Sequence, residues 1–228
     1  MLLGALRMKM YRNLFFDLDG TLFNTKPGIV HCIEYTAHEM GFPVPDDATI
    51  DSMIGPPLGD SLVKKCGVPE SEAGRALTIW RGEYSRVGWS MCDPYPGILE
   101  SVRDLKTVGY RIYTATSKNE HAARTILTEK GFAPYFDDIC GSTEDGSIEK
   151  KADVISLVAR RNTSVHLAES VLIGDTFFDC EGARIAGIDM VGAGWGFGDD
   201  VTLYENGALT VFHRPSELVD YFSERFAE

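Results

Sequence analysis

Short apolar runs rich in β-branched and aromatic residues alternate along this chain with segments whose apolar side chains recur every three or four positions. The first run, Leu14-Phe15-Phe16, is closed by Asp17-Leu18-Asp19-Gly20-Thr21, and the pattern predicts a strand over residues 12–18 that is covered on both faces. Further strands are expected at residues 111–115, 139–141, 171–173 and 190–193. Helical periodicity predicts helices at 97–108, 119–130, 151–160 and 179–186 between them. Such βα alternation requires a parallel sheet.

The stretch between the first two strands has a different character. Ile29, Ile33, Ala37 and Met40 share one helical face, and Gly41 with Pro43 and Pro45 stops that helix. A short helical segment near Asp51, the turn-like Ile54-Gly55-Pro56-Pro57-Leu58, and helices at 59–66 and 70–87 follow, and none of it reads as a strand. Pro94-Tyr95-Pro96-Gly97 then marks a linker and a helix start. The expected fold is therefore α/β: a Rossmann-like parallel sheet sandwiched by helices, built from residues 1–23 and 94–228. An α-helical cap domain, residues 24–93, is inserted in it.

Composition narrows the partners. With 34 acidic and 22 basic residues the formal charge is -12, which offers no field for a nucleic acid polymer or an anionic membrane. A small anionic molecule stays compatible, because a bound cation and one or two lysines can reverse the local potential. The five cysteines, at 32, 66, 92, 140 and 180, form no CxxC pair and read as reduced thiols. No run approaches the ~18 apolar residues of a membrane span, and the opening residues 1–7 do not read as a signal peptide. Met8 and Met10 are alternative starts. The expectation is a cytoplasmic enzyme, a monomer or homodimer.

Ligands of open α/β sheets bind beyond the carboxyl ends of the strands, and polar residues gather at those positions here. Asp17 and Asp19, one residue apart where a strand ends, could hold a hard cation between a carboxylate and a main-chain carbonyl. Thr116 and Ser117 offer hydroxyls and amides to phosphate oxygens at a helix start, although the same pair could simply cap a helix. Lys150 and Lys151 precede the helix at 151–160, and a lysine near the nucleophile would offset carboxylate repulsion; Lys151 is favoured. In Gly174-Asp175-Thr176-Phe177-Phe178-Asp179, Asp175 is the better metal ligand and Asp179 a partner behind it. Gly194-Trp195-Gly196-Phe197-Gly198 is glycine-rich, but its spacing is not that of a dinucleotide-binding turn.

Taken in order, Asp17-Leu18-Asp19-Gly20-Thr21, Thr116-Ser117, Lys151, and Gly174-Asp175 with Asp179 resemble the four signatures of the haloacid dehalogenase superfamily. The resemblance is to its phosphoglycolate-phosphatase-like members with a helical cap, and it covers nearly the whole chain. Where many relatives carry Lys-Pro, this chain has Lys150-Lys151-Ala152. Ile54-Gly55-Pro56-Pro57-Leu58 resembles the cap loop that faces the substrate in such enzymes. The resemblance implies a Mg2+-dependent phosphatase acting on a small phosphorylated metabolite: phosphoglycolate, a sugar phosphate or a nucleoside monophosphate. It implies that Asp17 attacks phosphorus to form an aspartyl phosphate and that Asp19 serves as general acid and base, with Lys151 supporting them. Thr116, Ser117 and Gly20 would bind phosphate, and Asp17, Asp19 and Asp175 would hold the metal, with Asp179 behind them.

Three alternatives use some of the same residues. A sugar phosphomutase of the β-phosphoglucomutase type would return the phosphoryl group to another hydroxyl. A non-catalytic phospho-acceptor signalling module would retain it on Asp17, which an acid–base group at Asp19 opposes. A halide-releasing enzyme would need neither a metal nor the carboxylate at 175.

Overall fold

The computed structural model describes residues 9–54 and 58–226, so residues 55–57 of the proposed cap loop and residues 1–8 lie outside the described residues. The chain divides into two compact units, Met1–Leu22 with Tyr95–Glu228, and Phe23–Pro94. Each is described by itself.

In the first unit, β1 (Asn13–Phe16) lies at the centre of a six-stranded sheet. Its fellow strands are β4 (Arg111–Asn119), β5 (Asp138–Ser142), β6 (Ser170–Gly174), β7 (Asp189–Ala193) and β8 (Val211–Phe212), in the order β5-β4-β1-β6-β7-β8. Every pairing is parallel. Helices α5 (Ile98–Val108), α6 (Glu120–Glu129), α7 (Lys151–Arg161), α8 (Phe177–Ala186), α9 (Asp200–Glu205) and α10 (Ser216–Ser223) connect or follow the strands. The apolar run of β1 is buried throughout, as expected for a strand covered on both faces. Phe15 joins a cluster with Tyr113, Leu172 and the α7 and α8 residues Val154, Ile155, Val158, Cys180 and Ala183. Phe16, pointing the other way, packs edge-on against Phe136.

Strand order places the site. The chain leaves β1, fills one side with β4 and β5, then crosses to fill the other with β6, β7 and β8, so the order reverses at β1. A crevice at such a switch point is where open α/β sheets bind ligands. Register aligns the strand ends there: Phe16 is level with Thr114 on one side and Ile173 on the other. Asp17 continues the ladder, its amide donating to the Ile173 carbonyl at 2.9 Å.

The second unit holds α1 (Lys26–Met40), α2 (Asp47–Met53), α3 (Leu58–Cys66) and α4 (Ala73–Arg86), around Ile33, Ile50, Met53, Leu62, Val68 and Ala76. One expectation fails here. Residues 24–93 are not free of strand, because β2 (Phe23–Asn24) and β3 (Asp93–Pro94) pair antiparallel where the chain enters and leaves this unit. Two residues per strand are too few to leave any alternation in sequence.

Candidate active site

Asp17, Asp175 and Asp179 offer oxygens lying within 4.8 Å of one another, and all three residues are buried. Strand termini explain the convergence: Asp17 directly follows β1, and Asp175 follows β6 next to it. Asp179 stands one turn into α8, where it forms a capping box with Thr176. Its Oδ2 accepts from the amides of Asp175 (3.1 Å) and Thr176 (2.9 Å) and from the Thr176 hydroxyl (2.9 Å).

Lys151, the first residue of α7, supplies the cluster's ammonium. Its Nζ lies 2.5 Å from Asp17 Oδ1 and 2.8 Å from Asp179 Oδ1, and its side chain is only 6% exposed. Lys150 is the exposed N-cap of the same helix and takes no part in these contacts. Asp179 is thus engaged at both oxygens and fixes Lys151 against Asp17.

Asp175 is held from two sides. The Thr21 hydroxyl donates to Oδ1 at 3.0 Å, and the Phe197 amide donates to Oδ2 at 2.8 Å. Gly20 has a positive φ of 83°, and a side chain there would overlap the Asp175 carboxylate, so only glycine closes this turn. The structure thus gives Gly20 a packing role beside Asp175.

The Asp19 carboxylate stands apart from this trio and meets a residue that the sequence did not single out. Lys118 Nζ lies 2.9 and 3.0 Å from its two oxygens, and the lysine side chain is 7% exposed. Lys118 is two positions beyond Thr116 in β4, in the stretch where the pairing with β5 shifts register between Ala115 and Asn119. The signal available in the sequence is its place directly after Thr116-Ser117, where the apolar run of β4 stops. Thr116 is buried, its hydroxyl accepting from the Lys118 amide at 3.2 Å, whereas Ser117 is exposed. The expectation that Thr116 and Ser117 begin a helix is corrected: they lie within β4, and Asn119 caps α6 by accepting from the amides of His121 and Ala122. The helix begins only after Asn119, so the two hydroxyls stay at the strand end, two and three residues short of the cap position.

Charge and burial work against each other here. Burial, with the neighbouring charges of Asp179 and Asp19, pushes the Asp17 carboxyl up to about 6 even though Lys151 opposes the shift. Burial raises Asp175 well above the ordinary range, with Asp179 and Asp17 adding to it and the Phe197 amide and Thr21 hydroxyl resisting. For Lys151 burial disfavours the charge, but Asp17 and Asp179 overcome it and hold the ammonium above its usual range. Three buried carboxylates thus face one ammonium, and every donor left over is oxygen. That excess of negative charge and that donor set fit a hard divalent cation.

The sequence profile of the haloacid dehalogenase-like hydrolases matches residues 14–193, spanning β1 to β7 and all the residues above except the 194–198 loop. The chain belongs to this family. The tyrosine-protein kinase PtkA of Mycobacterium tuberculosis is 38% identical over 202 residues, 88% of this chain and 68% of that protein. A 5'-nucleotidase of Pseudomonas aeruginosa is 32% identical over 83% of this chain and 86% of its own. The solved structure of a haloacid dehalogenase-like hydrolase from Streptococcus pneumoniae superposes with a TM-score of 0.87 at 32% identity, covering 93% of this chain and 98% of that one. No helix among the described residues is long and apolar enough to cross a membrane.

Proposed function

We propose that the chain is a magnesium-dependent phosphatase that hydrolyses a small phosphomonoester through an aspartyl phosphate. The observation that carries this reading is the placement of Asp17. It is a buried carboxylate at the end of the central strand, charge-paired to Lys151 and flanked by Asp175.

In this mechanism an Asp17 oxygen attacks phosphorus and the bond from phosphorus to the leaving oxygen breaks. Asp19, as general acid, gives a proton to the departing alkoxide. As a carboxylate it then removes a proton from water, whose oxygen attacks the same phosphorus. The bond to Asp17 breaks, releasing inorganic phosphate and restoring both residues. Lys151 keeps Asp17 oriented and balances charge as the phosphoryl group arrives. Thr116 and Ser117 are assigned to the phosphoryl oxygens. Asp17, the Asp19 carbonyl and Asp175 would hold magnesium, with Asp179 behind them. When bound, the ion would draw charge from the phosphoryl oxygens and relieve repulsion at the nucleophile.

The helical unit Phe23–Pro94 is assigned the cap's task of choosing the leaving group, and phosphoglycolate, sugar phosphates and nucleoside monophosphates are the candidates. The five cysteines, read as scattered reduced thiols, support a reducing compartment, the cytoplasm. The 5'-nucleotidase name of one relative favours release of phosphate from a small molecule. The kinase name of another adds an arm to the test.

Phosphate release is to be measured across a panel of these monoesters, with and without magnesium, for wild type and Asp17→Asn. Magnesium-dependent release that disappears in the variant is expected. An isomeric sugar phosphate, a long-lived phosphoprotein, or transfer from ATP to protein tyrosine without release from any monoester would overturn the reading.

A further inference from the structure

The glycine-rich segment Gly194-Trp195-Gly196-Phe197-Gly198, which follows β7, has no part in the mechanism above, yet it closes around Asp175. Its Phe197 amide donates to Asp175 Oδ2 at 2.8 Å. Two residues earlier, Trp195 Nε1 donates to the Thr21 carbonyl at 3.0 Å. Thr21 in turn donates its hydroxyl to Asp175 Oδ1 at 3.0 Å. The hydrogen bonds therefore form a closed ring, from Trp195 to Thr21 to Asp175 and back to Phe197 of the same loop.

The glycines between these donors are where the loop's backbone meets Asp175. A Cβ at Gly196 would overlap that of Asp175 and lie 2.5 Å from both Asp175 Oδ2 and the Gly20 carbonyl oxygen. A Cβ at Gly198 would overlap the Asp175 main-chain carbonyl. Any other residue at either position displaces the loop or the carboxylate. Each Asp175 oxygen accepts one hydrogen bond in the ring and keeps one lone-pair direction for a further partner.

We infer that the 194–198 loop is a positioning element for the metal site. It fixes the Asp175 carboxylate by the Phe197 amide and, through Thr21, by the Trp195 indole, so that cation affinity depends on residues that never touch the cation. This rests on the metal-dependent reading proposed above. The arrangement follows the general behaviour of groups behind metal ligands, whose loss lowers metal affinity by about 10- to 100-fold.

The test is a Mn2+ titration of the full chain, with free Mn2+ measured by electron paramagnetic resonance. Wild type is compared with Trp195→Phe, which keeps the ring but removes the donor, and with Gly196→Ala. Wild type is expected to bind, Trp195→Phe about 10-fold more weakly, and Gly196→Ala more weakly still. The melting temperature of Trp195→Phe in chelator should stay near that of wild type, since a purely structural bond would lower stability and leave metal affinity alone. If Gly196→Ala fails to fold, Trp195→Phe decides. Wild-type affinity in folded Trp195→Phe would overturn the inference and leave the metal reading standing. A wild-type chain that binds no Mn2+ would overturn both.

Discussion

Lys118 Nζ bridges both carboxylate oxygens of Asp19, at 2.9 and 3.0 Å, from the end of the neighbouring strand β4. The group proposed as acid and base is therefore held by a partner of its own, separate from the Lys151 pair that serves Asp17. Lys118→Met should leave the fold intact and lower kcat by about 10-fold or more, part of the 10²–10⁴ that a positioned acid–base group contributes. Steady-state kinetics on the best monoester of the panel checks this. A kcat within twofold of wild type would mean that the ion pair does not position Asp19.

Lys151 has a different job, because its removal strands charge. Lys151→Met leaves Asp17 and Asp179 buried without their ammonium, and breaking such a pair costs about 3–5 kcal/mol. The melting temperature should fall by on the order of 10 °C, and phosphate release should vanish. An unchanged melting temperature in chelator would show that the pair carries little energy.

Gly182 sets a contest of two magnitudes. Exchanging an internal helix glycine for alanine ordinarily stabilises by about 1 kcal/mol. Here the added methyl would lie 2.5 Å from Cβ and Cγ of Lys151, and overpacking of this kind costs about 1–3 kcal/mol. Contact should win: Gly182→Ala is expected to be no more stable than wild type. It should also lose about 10- to 100-fold in kcat as the ammonium is pushed off Asp17. A more stable, fully active variant would refute this.

Acid should stabilise the metal-free protein over a defined window. The folded pKa of Asp17, about 6, lies above its unfolded value, so the folded state binds more protons between roughly pH 4 and 6. The stabilisation is complete below about pH 4 and is lost as pH rises through about 6, amounting to on the order of 3 kcal/mol. Asp175, raised in the same direction, adds to it. Below that window Asp145, held down to about 2 by hydrogen bonds from Thr143 and Ser147, works the other way as it protonates. Thermal melts in chelator should therefore peak near pH 4–5. Saturating magnesium should move the optimum to neutral pH, and the same optimum with and without metal would contradict the account.

Asp17 and Asp175 could be read from the sequence because each stands where an apolar run stops, and a strand's end is a sharp event in a chain of alternating elements. Lys151 could be read by its place ahead of a periodic segment, although only the structure separates it from Lys150, the exposed N-cap. Lys118 is hard to read because Thr116-Ser117 in sequence looks like a helix start, whereas β4 runs on to Asn119. The 194–198 glycines do not have the spacing of a dinucleotide-binding turn, and their close approach to Asp175 is a tertiary fact that spacing does not encode. Past residue 193 the alternation of helix and strand continues as the sequence suggests, but α9 and β8 are too short for their bounds to be read from periodicity.

The central position of β1 bears on how the chain is made. Its two neighbours come much later, and Asn13 meets Ser170 across 157 residues. At about 5–20 residues per second the ribosome needs roughly 8–30 s to deliver that second partner. For that interval Asn13-Leu14-Phe15-Phe16 keeps at least one edge unpaired on the nascent chain, even after β4 has been made. The strand that leads into the proposed nucleophile is thus first a hazard, and growth temperature or chaperone supply should decide how much of the protein survives synthesis.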